Sequence, residues 1–154
     1  MSKKYFLLIF FLFLSACGYQ AIHSKKNSIN FDFSITKLNF VGEREINLII
    51  EKKLNNYTLI PKNKNYGLKI SSFSEKTILV KNISGDPTSF KNTLTLNVEV
   101  LTEKKIFNDF QIVESFIYNN TANKFDLKRY EKEIKSNLAE TVTDKLILML
   151  SSIQ

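Results

Sequence analysis

A chain of 154 residues with 44% hydrophobic and 12% aromatic content has the apolar material for one folded domain, which excludes a disordered chain. Four glycines, two prolines and one cysteine exclude collagen-like, low-complexity and disulfide-framework architectures. The formal charge of +7 points to an acidic partner, nucleic acid and anionic lipid among them. A composition rich in Lys, Asn, Ile and Phe is equally the drift expected of an AT-rich genome.

The first sixteen residues have the three parts of an export signal. Lys3 and Lys4 give a positive start, Tyr5 to Leu14 form an uncharged apolar run, and Ser15-Ala16 are small. The run is half of the roughly 20 residues that a helix needs to cross a bilayer. Leu14-Ser15-Ala16-Cys17 resembles the lipobox of bacterial lipoproteins. A thiol can accept a diacylglyceryl unit as a thioether, and small residues before it admit the peptidase. Cleavage then frees an amine for a further acyl chain such as palmitate, and more than one chain is needed for stable anchoring. Residues 1–16 are thus read as a removed signal peptide and residues 17–30 as a lipidated tether. Residues 31–154 are read as one domain. Removing Lys3 and Lys4 leaves 20 basic against 15 acidic residues, and export argues against nucleic acid as the partner. By the same resemblance, Gly18, where Asp commonly retains such proteins in the inner membrane, permits sorting to the outer membrane, with the domain facing the periplasm. His23 lies in the polar tether beside Lys25-Lys26, and one histidine cannot assemble a metal site or a triad.

Beyond the tether, Phe31, Phe33 and Ile35 alternate with polar residues as in a half-buried strand. The phase slips before Leu38 and Phe40, as at a bulge or a strand end. After Gly42 the period changes: Ile46, Ile49, Ile50 and Leu54 share a helical face, with Glu43 and Glu45 in the first turn. This predicts a short helix ending near Asn55-Asn56, followed by a loop at Pro61. Tyr66, Leu68 and Ile70 alternate again. Ile78 and Val80 resume the same parity after a polar break at Ser74-Glu75-Lys76. Ser84 to Pro87 signals a turn. Leu94, Leu96, Val98 and Val100 then mark the clearest strand, followed by a turn spanning Lys104-Lys105 and Asn108-Asp109. Phe110, Ile112, Phe116 and Tyr118 mark one face of the next strand, with Val113 and Ile117 on the other; Asn119-Asn120 end it. Leu127, Tyr130, Ile134, Leu138, Val142, Leu146, Met149 and Ile153 step by three or four along a long final helix. Its expected N-cap is Asp126, and Phe125 and Tyr130 have the spacing of a hydrophobic staple.

The predicted fold is α+β: about four strands in a mainly antiparallel sheet, two helices on one face, order β-α-β-β-β-α. The other sheet face then has no covering element, so it is polar or meets a partner. Phosphate loops, metal-ligand clusters and stacking platforms for bases are not found in the pattern, so no enzyme, no metal and no cofactor beyond the acyl groups on Cys17 is expected.

The lipobox followed by Cys17-Gly18-Tyr19, the run Leu94 to Leu101, and Ser115 to Asn120 ahead of an acidic-capped final helix resemble the LPS-assembly lipoprotein LptE family. The resemblance spans nearly the whole mature chain. It implies a non-enzymatic lipoprotein that plugs the LptD β-barrel in the outer membrane, helps it assemble and contacts lipopolysaccharide during delivery to the cell surface. The phosphates of that ligand are anionic, and lysine binds phosphate as a point charge. Lys81 and Lys124 match basic positions of the family pattern, and Lys76 and Lys91 join them as sequence neighbours. As residue types, all four also read as solvated surface lysines. The alternative function is another periplasm-facing lipoprotein, an activator of a cell-wall synthase or an auxiliary of a lipid-transporting ABC system.

Overall fold

The computed structural model describes residues 31–58, 62–103 and 105–153. The signal peptide, Cys17 and the tether lie outside the described residues, as do Pro61 and Lys104. Six main elements follow one another: β1 (Phe33–Gly42), α1 (Arg44–Leu54), β2 (Lys64–Lys81), β3 (Pro87–Thr102), β4 (Lys105–Asn119) and α2 (Lys124–Ser152). A single 3-10 turn, Asn55–Tyr57, follows α1. The sheet order is β1-β2-β3-β4, with β1 parallel to β2 and the other pairs antiparallel. Parallel neighbours need a crossover, and α1 supplies it; the antiparallel strands need only hairpins. This is the expected α+β architecture in the expected order.

Both helices pack on each other and on one sheet face. That face contributes Phe33, Ile35, Leu68, Ile70, Leu94, Leu96, Val98, Val100 and Ile112 to the core. Onto it α1 lowers Ile46, Ile50 and Leu54, and α2 lowers Leu127, Ile134, Leu138, Val142, Leu146 and Leu150. The opposite face has no covering element among the described residues. It carries the Lys69–Glu99 ion pair at 2.8 Å and the Gln111–Asn97 hydrogen bond at 3.0 Å, with exposed Phe73, Val113 and Ile117 farther along the strands.

The phase slip read before Leu38 is a bulge: the β1–β2 register shifts between Ile35 and Lys37. Three local expectations are corrected. The polar step at Ser74 to Lys76 does not interrupt β2, which runs unbroken for 18 residues. Its polar groups are satisfied from outside the strand, by Glu43 and Glu131. The second hairpin turns earlier than Asn108-Asp109, which pair with Val100 and Glu99 inside β4; the chain reverses around Glu103, whose φ is 51°. The final helix is capped by Asn123 in place of Asp126. The Asn123 side chain accepts from the amides of Phe125 and Asp126, which shifts the start three residues back and leaves Phe125 exposed without a staple.

The β1–α1 junction is locked to β2. Gly42 has φ +102°, and a Cβ there would stand 2.0 Å from the Ser72 carbonyl oxygen. This close approach lets the Ser72 hydroxyl accept from the Glu43 amide (3.1 Å) and donate to Asn47 Oδ1 (2.8 Å), while Asn47 Nδ2 donates to the Val41 carbonyl (3.3 Å). Where β1 leaves the sheet, the Glu43 carboxylate takes over its ladder. It accepts from the Ser74 amide at 2.9 Å, from the Ser74 hydroxyl, and from Lys135 Nζ of α2 at 3.0 Å. Desolvation pushes the Glu43 pKa up, but the Ser74 donors and the Lys135 ammonium together outweigh it, so the net direction is down.

Gly42→Ala is expected to cost roughly 2–4 kcal/mol in urea unfolding, from left-handed strain plus a backbone clash. Gly85→Ala has a φ penalty but open space around it, and is expected to cost about 1 kcal/mol. Because the folded pKa of Glu43 is depressed, its contribution is full at neutral pH and is lost as pH falls through that depressed value. Glu43→Gln is therefore expected to lose about 1 kcal/mol near pH 7, after solvent screening, and progressively less toward pH 3. Urea midpoints across that range check it; a pH-independent difference refutes the assignment.

Candidate functional site

Three of the four nominated lysines, Lys76, Lys81 and Lys91, lie on the half of the sheet that extends past β1, and Lys124 opens α2. Pairing of β1 with β2 stops at Gly42–Ser72, so beyond it β2, β3 and β4 continue as a three-stranded sheet toward the β2–β3 hairpin. Lys81 closes β2 opposite Pro87. The Pro87 carbonyl accepts from Asn120 Nδ2 at 2.7 Å, and Asn120 Oδ1 accepts from Lys124 Nζ at 3.4 Å. This relay brings Lys81 and Lys124, 43 positions apart, to one end of the domain. Both are exposed.

Lys76 and Lys91 take opposite faces. Lys91 pairs with Thr77 and Ile117 on the uncovered face. Lys76 stands on the helical face, where its ammonium lies 3.9 Å from the centre of the Phe90 ring and is ion-paired with Glu131 of α2. The same Glu131 oxygen accepts from the Tyr118 hydroxyl at 2.9 Å. Tyr118 in turn contacts Phe90 (centroids 5.6 Å) and Tyr130 edge-on (6.0 Å, 87°). Burial, reinforced by the Glu131 hydrogen bond and charge, pushes the Tyr118 hydroxyl far above the ordinary tyrosine range. Lys76 is thus a tied residue that fastens the start of α2 to the sheet, while Lys81 and Lys124 are exposed and Lys91 is half-buried. Across from Lys76, Asn92 is 2% exposed and its Oδ1 has no hydrogen-bond partner. The cleanest strand of the sequence therefore carries one polar side chain into the core.

The apolar part of this end went unread. Ile78, Leu79 and Val80 are about half exposed and Ile83 wholly so. Periodicity assigns Ile78 and Val80 to the core, and would be right if β1 or a helix reached that far. Glu131 and Tyr118 carry no sequence signal of their pairing either, since it depends on where α2 crosses the sheet.

Glu131→Gln is expected to bring the Tyr118 titration down toward the usual value of about 10 while leaving it raised by burial. Ultraviolet titration of the phenolate checks this; an unmoved titration would refute the Glu131 contribution.

No protein-family profile and no curated protein matches the chain. Solved structures do. Rare lipoprotein B from Shewanella oneidensis superposes with a TM-score of 0.60 at 13% identity, over 75% of this chain and 94% of that one. A minor lipoprotein from Acinetobacter baumannii gives 0.61 at 12% identity, over 79% and 92%. Uncharacterized lipoprotein B from Nitrosomonas europaea gives 0.57 at 11% identity, over 79% and 86%. At these identities the likeness establishes a shared fold.

Proposed function

We propose that the chain is a lipoprotein anchored through Cys17 in the outer membrane and facing the periplasm. In this reading it plugs and helps assemble an LptD-like β-barrel, and it contacts lipopolysaccharide on the way to the surface. The observation that carries the reading is a conjunction. A Leu14-Ser15-Ala16-Cys17 sequence precedes a fold that covers about nine tenths of solved proteins described as lipoproteins. The protein works by contact, with no catalytic group assigned. Lys81 and Lys124, gathered at one end and accessible, are the residues best placed to meet anionic phosphates. Lys91 is open to the other face, and Lys76 would meet an anion only by leaving Glu131.

Affinity purification from envelope membranes is expected to recover a large outer-membrane barrel. Recovery of only a cell-wall synthase or an ABC lipid transporter would select the alternative instead. Lys81→Glu with Lys124→Glu is expected to weaken lipopolysaccharide binding by roughly tenfold or more, at about 1 kcal/mol for each lost charge and further repulsion from each new one. Equilibrium binding at fixed ionic strength measures it, and unchanged affinity removes both lysines from the ligand site.

A further inference from the structure

We propose that the tip of the β2–β3 hairpin is a lipid-inserting element. Ile83 enters the acyl region of a phospholipid leaflet, Lys81 and Lys124 reach its anionic headgroups, and Ile78, Leu79 and Val80 lie against its interfacial layer. The inference goes beyond the plug reading and needs only that the protein work at a membrane.

Three observations carry it. The first is apolar exposure concentrated at one point: three consecutive residues about half exposed, with Ile83 fully exposed two residues beyond Lys81. Register shifts at Ile78/Val80 and Val80/Lys81 break the simple alternation there. The second is that the loop closes on its own hydrogen bonds. The Asn82 amide donates to the Asp86 carbonyl (2.9 Å), the Gly85 amide to the Asn82 carbonyl (3.0 Å), and the Asp86 amide to Asn82 Oδ1 (2.8 Å). Each internal bond removes a group that would otherwise need water, which lipid does not supply. Gly85, at φ +88°, permits the closed turn. The third is charge. Lys81 and Lys124 flank the tip, and their long apolar stems let the ammonium stay at headgroup level. Lys91 stands farther down β3. Of the nearby acids, Glu131 is paired with Lys76, Asp126 with Arg129 at 3.1 Å, and Glu75 lies below the tip on β2. Asp86 keeps its charge, with a hydrogen bond from Asn82 Nδ2 at 3.3 Å, against the two ammonium groups of Lys81 and Lys124. The other run of exposed apolar residues, on β4, includes Val113 and Ile117 but shares the uncovered face with Asp109, which an anionic surface repels.

The chain contains no tryptophan, so one introduced indole reports on one place. The full-length protein is produced as Ile83→Trp and, as a control far from the tip, as Leu48→Trp on the exposed side of α1. Each is reconstituted into vesicles of equal parts phosphatidylglycerol and phosphatidylcholine. Insertion is expected to blue-shift the Ile83→Trp emission and reduce its quenching by acrylamide about threefold or more, with Leu48→Trp unchanged. Adding Ile78→Asp is expected to abolish the shift. Sedimentation of Leu48→Trp with the vesicles reads the anchor separately, and the tip emission is decided whether or not the anchor holds. Quenching of Ile83→Trp at its solution rate would overturn the proposal. So would a shift seen equally in neutral vesicles, only with dispersed lipopolysaccharide, or only when a barrel protein is added.

Discussion

The arrangement of both helices depends on one close approach, that of Gly42 to the Ser72 carbonyl. It turns the chain out of the sheet at a fixed point and allows the Ser72 hydroxyl to knit the Glu43 amide to Asn47. From there Glu43 reaches across to β2 and to α2 at once. One carboxylate thus ties the crossover, the central strand and the long helix, and it does so where β1 stops. The four-stranded half of the sheet, covered by both helices, and the three-stranded half that leads to the hairpin meet at this junction.

The two halves have different tasks. The first is an ordinary apolar core in which Leu68, Ile70, Val98 and Val100 are wholly or almost wholly buried. The second has little to cover it. Its polar contacts, Lys76 with Glu131 and Tyr118 with the same carboxylate, bring α2 down onto the sheet and stop short of the hairpin. What lies past them is a strand pair with apolar side chains in water, an arrangement that costs free energy in isolation and is relieved by contact with something apolar.

Much of this was legible in the residues because one face of each element is buried. Alternation in Leu94 to Val100 and the three-four stepping from Leu127 to Ile153 are direct records of burial, so the strands, helices and their order could be read. The bulge in β1 was legible for the same reason, as a slip in phase. The Asn123 cap was not, because Asn and Asp satisfy helix amides in the same way and the two stand three residues apart. The continuity of β2 was hidden because its polar stretch is paired with residues 31 and 55 positions away. At the candidate site, Lys81 and Lys124 could be nominated one at a time, but their convergence depends on Asn120 and on where α2 begins. The exposure of the hairpin tip was hidden, since a period of two shows which side a residue faces and says nothing about how far the covering layer extends. The signal peptide, the tether and Cys17 stand on sequence chemistry alone.

The outermost strand has a consequence of its own. β4 runs 15 residues with a neighbour on one side only, and Ile106, Phe107, Val113, Phe116 and Ile117 are exposed along it. It contains no proline, and its one lysine is at its first residue, whereas the other border, β1, is broken by a bulge beside Lys37. Proteins usually blunt such margins, because an unpaired row of amides and carbonyls recruits further chains. A molecule with this asymmetry is at odds with crowding by its own kind, and its solubility when overproduced will depend on how quickly β4 is shielded after synthesis.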